Sequence, residues 1–189
     1  MLELIYPTRI APLLRGSDRT DAEEMLPIVD ANGVVTAQAS RSYCHSGAKC
    51  LHPVVHLHIL NRQGELYLQK RGAHKKLLPL KWDTAVGGHV SYGEFISEAL
   101  HREAAEELKF YDFNPIFITS YEFESNTEKE LVYVFAAVGQ FDLHPNPEEL
   151  AGGKFFSPEA LQKKMGTGRL TPNFELEYGR IKDALQSLL

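Results

Sequence analysis

Glu103, Glu106 and Glu107 fall within five positions of the segment GGHVSYGEFISEALHREAAEELKF, residues 87–110. An α-helix advances about 100° per residue, so the three carboxylates occupy an arc of roughly 100°. At about 6 Å apart such groups repel by roughly 3 kcal/mol per pair at an effective dielectric near 20. On an open helix face water relieves much of that repulsion, and a solvated Glu-rich face is the bland reading. In a cleft, a hard divalent cation turns the repulsion into binding, because Mg²⁺ takes oxygen ligands and shares them with substrate phosphates. The opposite side already carries Glu98, His101, Arg102 and Lys109, with Leu100, Ala104 and Leu108 as a narrow apolar stripe. A surface helix needs one polar face, so the second asks for a chemical reason.

The elements around this helix follow from pattern. MLPIVDANGVVTAQASR reads as two short strands around the turn DANG. HPVVHLHILNRQGELYLQKR is a clearer hairpin, with Val55, Leu57 and Ile59 on one face and His56 and His58 on the other. Residues 72–90 read as a loop-rich passage, and residues 96–109 as a helix free of Gly and Pro. FITSYEFESNTEKELVYVFAAVG predicts a further hairpin with its tip near SNTE. SPEALQKKM and TPNFELEYGRIKDALQSLL both open like helices, with Pro after Ser or Thr. Strands, a helix, strands and then helices predict an α/β fold with a mixed sheet and helices packed against it. Residues 1–26 read as an N-terminal extension and residues 27–189 as a single domain.

Composition narrows the function. A hydrophobic content of 43% and a charged content of 24% are ordinary for a globular chain. The net charge of −5 argues against a nucleic-acid or membrane-surface binder, although a bound cation can still reverse the sign locally for an anionic substrate. No apolar run is long enough to predict a membrane span, and the first residues do not read as a secretory signal. Cys44 and Cys50 are too few for a disulfide framework, and their spacing is poor for a zinc knot. A reduced, cytoplasmic location is the expectation.

Spacing adds a sharper signal. From Gly88, five residues lead to Glu94 and seven more to REAAEELKF. This resembles the Nudix box, GX5EX7REUXEEXGU with U a bulky apolar residue. Gly88, Glu94, Arg102, Glu103, Glu106, Glu107 and Phe110 match, whereas Ala104 is small for its position and Lys109 replaces the last glycine. The resemblance implies the family's α/β/α sandwich over about residues 26–165. It implies Mg²⁺ or Mn²⁺ held by the main-chain oxygen of Gly87 with Glu103, Glu106 and Glu107. Glu94 and Arg102 would orient that cluster. Dimers are common in the family, so a homodimer is among its implications.

A longer similarity points to one branch. WDTAVGGHV and the upstream histidines look like the isopentenyl diphosphate isomerase branch, where three histidines and two glutamates bind a metal. The matching residues are His45, His52, His89, Glu128 and Glu130. They imply a second metal such as Zn²⁺ or Mn²⁺, while the bland alternative is polar loop residues and a solvated strand face. The position of the isomerases' acid–base cysteine is Gly87, and the carboxylates those enzymes lack are present at Glu103 and Glu106. Both departures favour hydrolysis of a small-molecule organic diphosphate. Glu103 is the first candidate base, Glu130 the alternative, and Glu107 a catalytic metal ligand. Lys70 and Arg71 fit a phosphate contact and a solvated strand end equally well. His56, His58, His74, His101 and His144 form no constellation and read as structural or surface residues. The rival expectations are an isomerase with another acid–base pair and a non-catalytic module that binds a diphosphate.

Overall fold

A computed structural model describes residues 24–75 and 77–189. The expected extension falls, up to residue 23, outside the described residues. The chain runs β1 (Met25–Val29), β2 (Val35–Ser40), α1 (Arg41–Cys44), β3 (Leu51–Leu60), β4 (Leu66–Arg71), β5 (Trp82–Asp83) and β6 (Val86–His89). There follow α2 (Ile96–Leu108), β7 (Ile116–Glu124), β8 (Lys129–Val138), β9 (Leu150–Phe156), α3 (Pro158–Gln162) and α4 (Pro172–Gln186).

Each expected hairpin forms, and side chains fix its turn. Asp30 Oδ1 accepts from the amides of Asn32 and Val34 while Gly33 takes φ 79°, closing β1 onto β2. Asn61 Oδ1 does the same for Gln63 and Glu65 between β3 and β4. Ser125 Oγ accepts from Thr127 and Glu128 at the tip between β7 and β8.

The main sheet runs β5-β4-β3-β8-β7, with β6 also on β3 and β9 on β4. β3 and β8 are parallel and the other pairs antiparallel, so the sheet is mixed. Strand alternation divides its residues between two layers. Val55, Leu57 and Ile59 pack with Leu100, Ala104 and Leu108 of α2. Val54, Leu60 and Leu68 pack with Phe174, Ile181 and Leu185 of α4. The result is an α/β/α sandwich. Among the described residues no helix is long and apolar enough to cross a membrane.

Three features differ from the sequence expectation. The loop-rich passage contains β5 and β6, and β9 was not foreseen. Both β6 (VGGH) and β9 (LAGGKFF) carry paired glycines, which depress strand propensity and signal close approach instead. At Gly153 a Cβ would lie 2.1 Å from the Tyr67 hydroxyl, so that strand must be bare. The four-residue α1 is too short for a periodic signal. The end of α2 keeps its cap without glycine, because Lys109 adopts the left-handed conformation (φ 53°, ψ 34°) and its N–H meets the last-turn carbonyls.

Candidate active site

The β6 turn and the inner side of α2 meet at two glycines. A Cβ on Gly88 would lie 2.0–2.4 Å from the carboxylate atoms of Glu103, so only glycine fits. The Gly87 N–H donates to Glu107 Oε2 at 3.1 Å, and Gln69 Nε2 donates to the same carboxylate at 3.3 Å. Glu103 and Glu107 are partly buried, whereas Glu106 is exposed. Burial pushes Glu103 up to about 7, with Arg102 opposing and Glu106 adding to the rise. Burial likewise pushes Glu107 up to about 8, helped by the charge of Glu103 and opposed by the Gly87 and Gln69 donors.

Arg102 organises the cluster. Its Nε and Nη2 donate to the two oxygens of Glu94 at 2.8 and 2.9 Å. Nη1 donates to Glu103 at 2.8 Å and to Glu106 at 3.3 Å, and Nη2 also reaches the His89 carbonyl at 2.9 Å. This planar fork orients Glu103 from one side and ties α2 to β6 from the other.

The histidines come together from three elements of the chain. The ligand atoms of His45, His52 and His89 all lie within 4.8 Å of one another. His45 approaches His89 at 2.9 Å between Nε2 atoms and Glu128 at 3.2 Å through Nδ1. His52 Nδ1 bonds the Cys50 carbonyl at 2.8 Å, leaving its buried Nε2 without a partner among the described residues. Burial lowers His52, and burial with nearby Arg41 lowers His89 well below the usual range. Glu130, the ladder neighbour of His52, is buried, and its carboxylate has no hydrogen-bond partner among the described residues. Burial first, and then the Glu128 charge, push it up to about 7.

The profile of the NUDIX domain family matches residues 51–174, which contain the glycine turn, α2 and most of the sheet. The chain belongs to the Nudix family. A Nudix hydrolase of Nostoc sp., uncharacterised, is 36% identical over 107 residues, covering 53% of this chain and 63% of that relative. An isopentenyl-diphosphate Delta-isomerase of Streptomyces coelicolor is 29% identical over 173 residues, covering 85% of this chain and 83% of its own. The crystal structure of DR0079 from Deinococcus radiodurans superposes with a TM-score of 0.72 at 26% identity, covering 83% of this chain and 98% of that one.

In this Nudix chain the two residues suggested for phosphate contact are differently engaged. Arg71 bonds Asp83 Oδ2 at 3.2 Å and the Leu77 carbonyl, while Lys70 Nζ sits 5.9 Å from the Trp82 ring centroid. His56 and His58, expected to be structural or surface residues without a constellation, require one correction: they do share a partner. His58 is buried and His56 is partly buried, and both bond Glu177 of α4. Burial opposes the charged form of His56, but Glu177, with help from Glu130 and Asp83, raises it to about 9. Gln69, Tyr121 and Glu177 were missed altogether. One signal was present: Glu177 interrupts the apolar series Phe174, Ile181, Leu185.

Proposed function

We propose that this Nudix chain hydrolyses a diphosphate linkage in a nucleotide-like or other organic diphosphate with the aid of divalent cations. The observation that carries the reading is the Glu103/Glu107 pair, crowded against a turn where even one methyl group would not fit. Carboxylates raised to about 7 and 8 by burial are short of positive charge, which is the condition a hard cation relieves. Glu103, Glu106, Glu107 and the Gly87 carbonyl would hold Mg²⁺ or Mn²⁺. The unpartnered Nε2 of His52, beside two other rings, fits a second ion such as Zn²⁺ or Mn²⁺ with His45, His89, Glu128 and Glu130. Bound there, the cations would neutralise the diphosphate oxygens and make a coordinated water more acidic.

The chain's own groups supply the rest. Hydrolysis forms a bond from water oxygen to one phosphorus, breaks the bridging P–O bond and releases a proton. Glu103 is the proposed proton acceptor: Arg102 occupies its Oε1, and Oε2 has no hydrogen-bond donor among the described residues. Glu130 is the alternative, since its carboxylate is buried, has no hydrogen-bond partner among the described residues and is raised to about 7. Glu94 holds Arg102, and through it the angle of Glu103. Lys70 and Arg71 are proposed phosphate contacts.

The isomerase reading has relatives of that name in its favour. Against it stands Gly87, which offers no side chain at the position where the branch carries its acid–base thiol. A panel of nucleoside, sugar, coenzyme and prenyl diphosphates with Mg²⁺ or Mn²⁺ tests the choice. Cleaved products support hydrolysis; a mass-neutral product with no phosphate released supports isomerisation.

A further inference from the structure

The face of the sheet beneath α4 carries a polar network that the proposed reaction does not yet use. Glu177 is fully buried, among apolar residues of α4. Its carboxylate accepts from His56 Nδ1 at 2.8 Å, His58 Nε2 at 2.6 Å and the Tyr121 hydroxyl at 2.6 Å. Asn173 lies 3.0 Å from the same hydroxyl. Helix docking alone does not need this, since apolar residues of similar volume usually serve as well as a buried charged cluster.

The two histidines differ in what their second nitrogen can do. His58 Nδ1 is buried with no partner among the described residues, so that ring ends inside the network. The His56 side chain keeps 13% exposure, and its Nε2 has no hydrogen-bond partner among the described residues. His56 lies across the ladder from Gly87. Its Cδ2 and Nε2 stand 3.3 and 3.6 Å from where a Cβ on Gly87 would project. The free edge of the ring therefore borders the bare turn whose N–H holds Glu107. The Arg102 guanidinium is already engaged by Glu94 and Glu103.

We propose that His56 is a substrate contact, its Nε2–H donating to a non-bridging phosphate oxygen, and that Glu177 and Tyr121 are the positioning residues that fix the ring. This rests on the hydrolase reading and adds a residue to its site. An ionised carboxylate only accepts hydrogen bonds and, fully buried, needs a cation beside it, so Glu177 makes Nδ1 a donor, favours the imidazolium in which Nε2 also carries a proton, and sets the direction of that N–H. It also makes the C-terminal helix a wall of the active site, not a passive cover.

The test is NMR of the full chain with ¹⁵N-labelled histidine and backbone, titrated with methylenediphosphonate in the presence of Mg²⁺. The expected result is a shift of the His56 Nε2 resonance that saturates together with shifts of the Gly87 and Gly88 amides. Shifts at Gly87 and Gly88 with His56 unmoved would overturn the proposal and leave the hydrolase reading standing. No shift at any of these positions at millimolar ligand would remove both. In parallel, His56→Gln and Glu177→Gln should each weaken methylenediphosphonate binding by about 10- to 100-fold while Mg²⁺ affinity stays unchanged. Undiminished diphosphonate affinity in folded Glu177→Gln would strip that residue of its positioning role. Because the wild-type titration stands alone, a variant that fails to fold does not blunt the test.

Discussion

The guanidinium of Arg102 donates to the main-chain carbonyl of His89 at 2.9 Å while its other nitrogens hold Glu94 and Glu103. One side chain thus links the carboxylate cluster of α2 to the strand that presents His89 to the histidine cluster. Lysine offers a single point of charge and cannot reproduce that fork. Arg102→Lys should therefore lower kcat/KM by about 10- to 100-fold with little loss of helix content. Steady-state kinetics and far-UV circular dichroism check this; wild-type kinetics in the variant would deny Arg102 its organising role.

Gly88 is sterically obligatory. Gly88→Ala places a methyl group inside contact distance of the Glu103 carboxylate. Either β6 or α2 must shift, and overpacking of this kind costs about 1–3 kcal/mol. Divalent-cation affinity should fall along with the melting temperature, by calorimetry on the same sample. The neighbouring Gly93, where a Cβ meets nothing within 4 Å but φ is +83°, should lose stability without that loss of cation affinity.

The pH dependence of stability has a defined sign in the metal-free protein. Glu103 and Glu107 sit at about 7 and 8 against an ordinary 4.5, and His56 at about 9 against 6.5. Raised values mean that the folded state binds more protons, so stability falls as pH climbs toward them. The lowered His52 and His89 act oppositely, but only below about 6.5, their unfolded value. Between pH 6.5 and 8 the raised groups alone govern, and melting temperature in EDTA should decline with pH. The slope should be shallower in Glu107→Gln. Added Mg²⁺ should stabilise more strongly at pH 8 than at 6.5, because it binds the ionised carboxylates.

Lys109 closes α2 in a left-handed conformation that costs a non-glycine residue about 1–2 kcal/mol. The side chain is exposed, so Lys109→Gly removes the strain without removing a buried contact. Chemical denaturation should place that variant about 1 kcal/mol above wild type, with kinetics unchanged.

What the sequence disclosed, and what it withheld, follows from distance along the chain. The run from Gly88 to Phe110 is local, so helix geometry and spacing expose its carboxylates directly. The hairpins were legible for the same reason, each being an alternating run broken by Asp, Asn or Gly. β6 and β9 were hidden because their glycines answer to neighbours, Glu103 and Tyr67, that only the folded sheet brings near. The His56–Glu177 pair spans 121 positions, and no local pattern joins them. Gln69 reaches Glu107 across 38 positions and from a different element, so its place at the site does not show in a residue that reads as an ordinary strand position.

The proposed reaction adds water across a phosphate bridge beside Glu103 and Glu107. The most direct measurement is turnover of the diphosphate panel in H₂¹⁸O with Mn²⁺, read by mass spectrometry. One ¹⁸O is expected in one of two cleaved products, with turnover dependent on the cation and reduced by orders of magnitude in folded Glu107→Gln. A product of unchanged mass without label, or turnover indifferent to both the cation and that substitution, would contradict it.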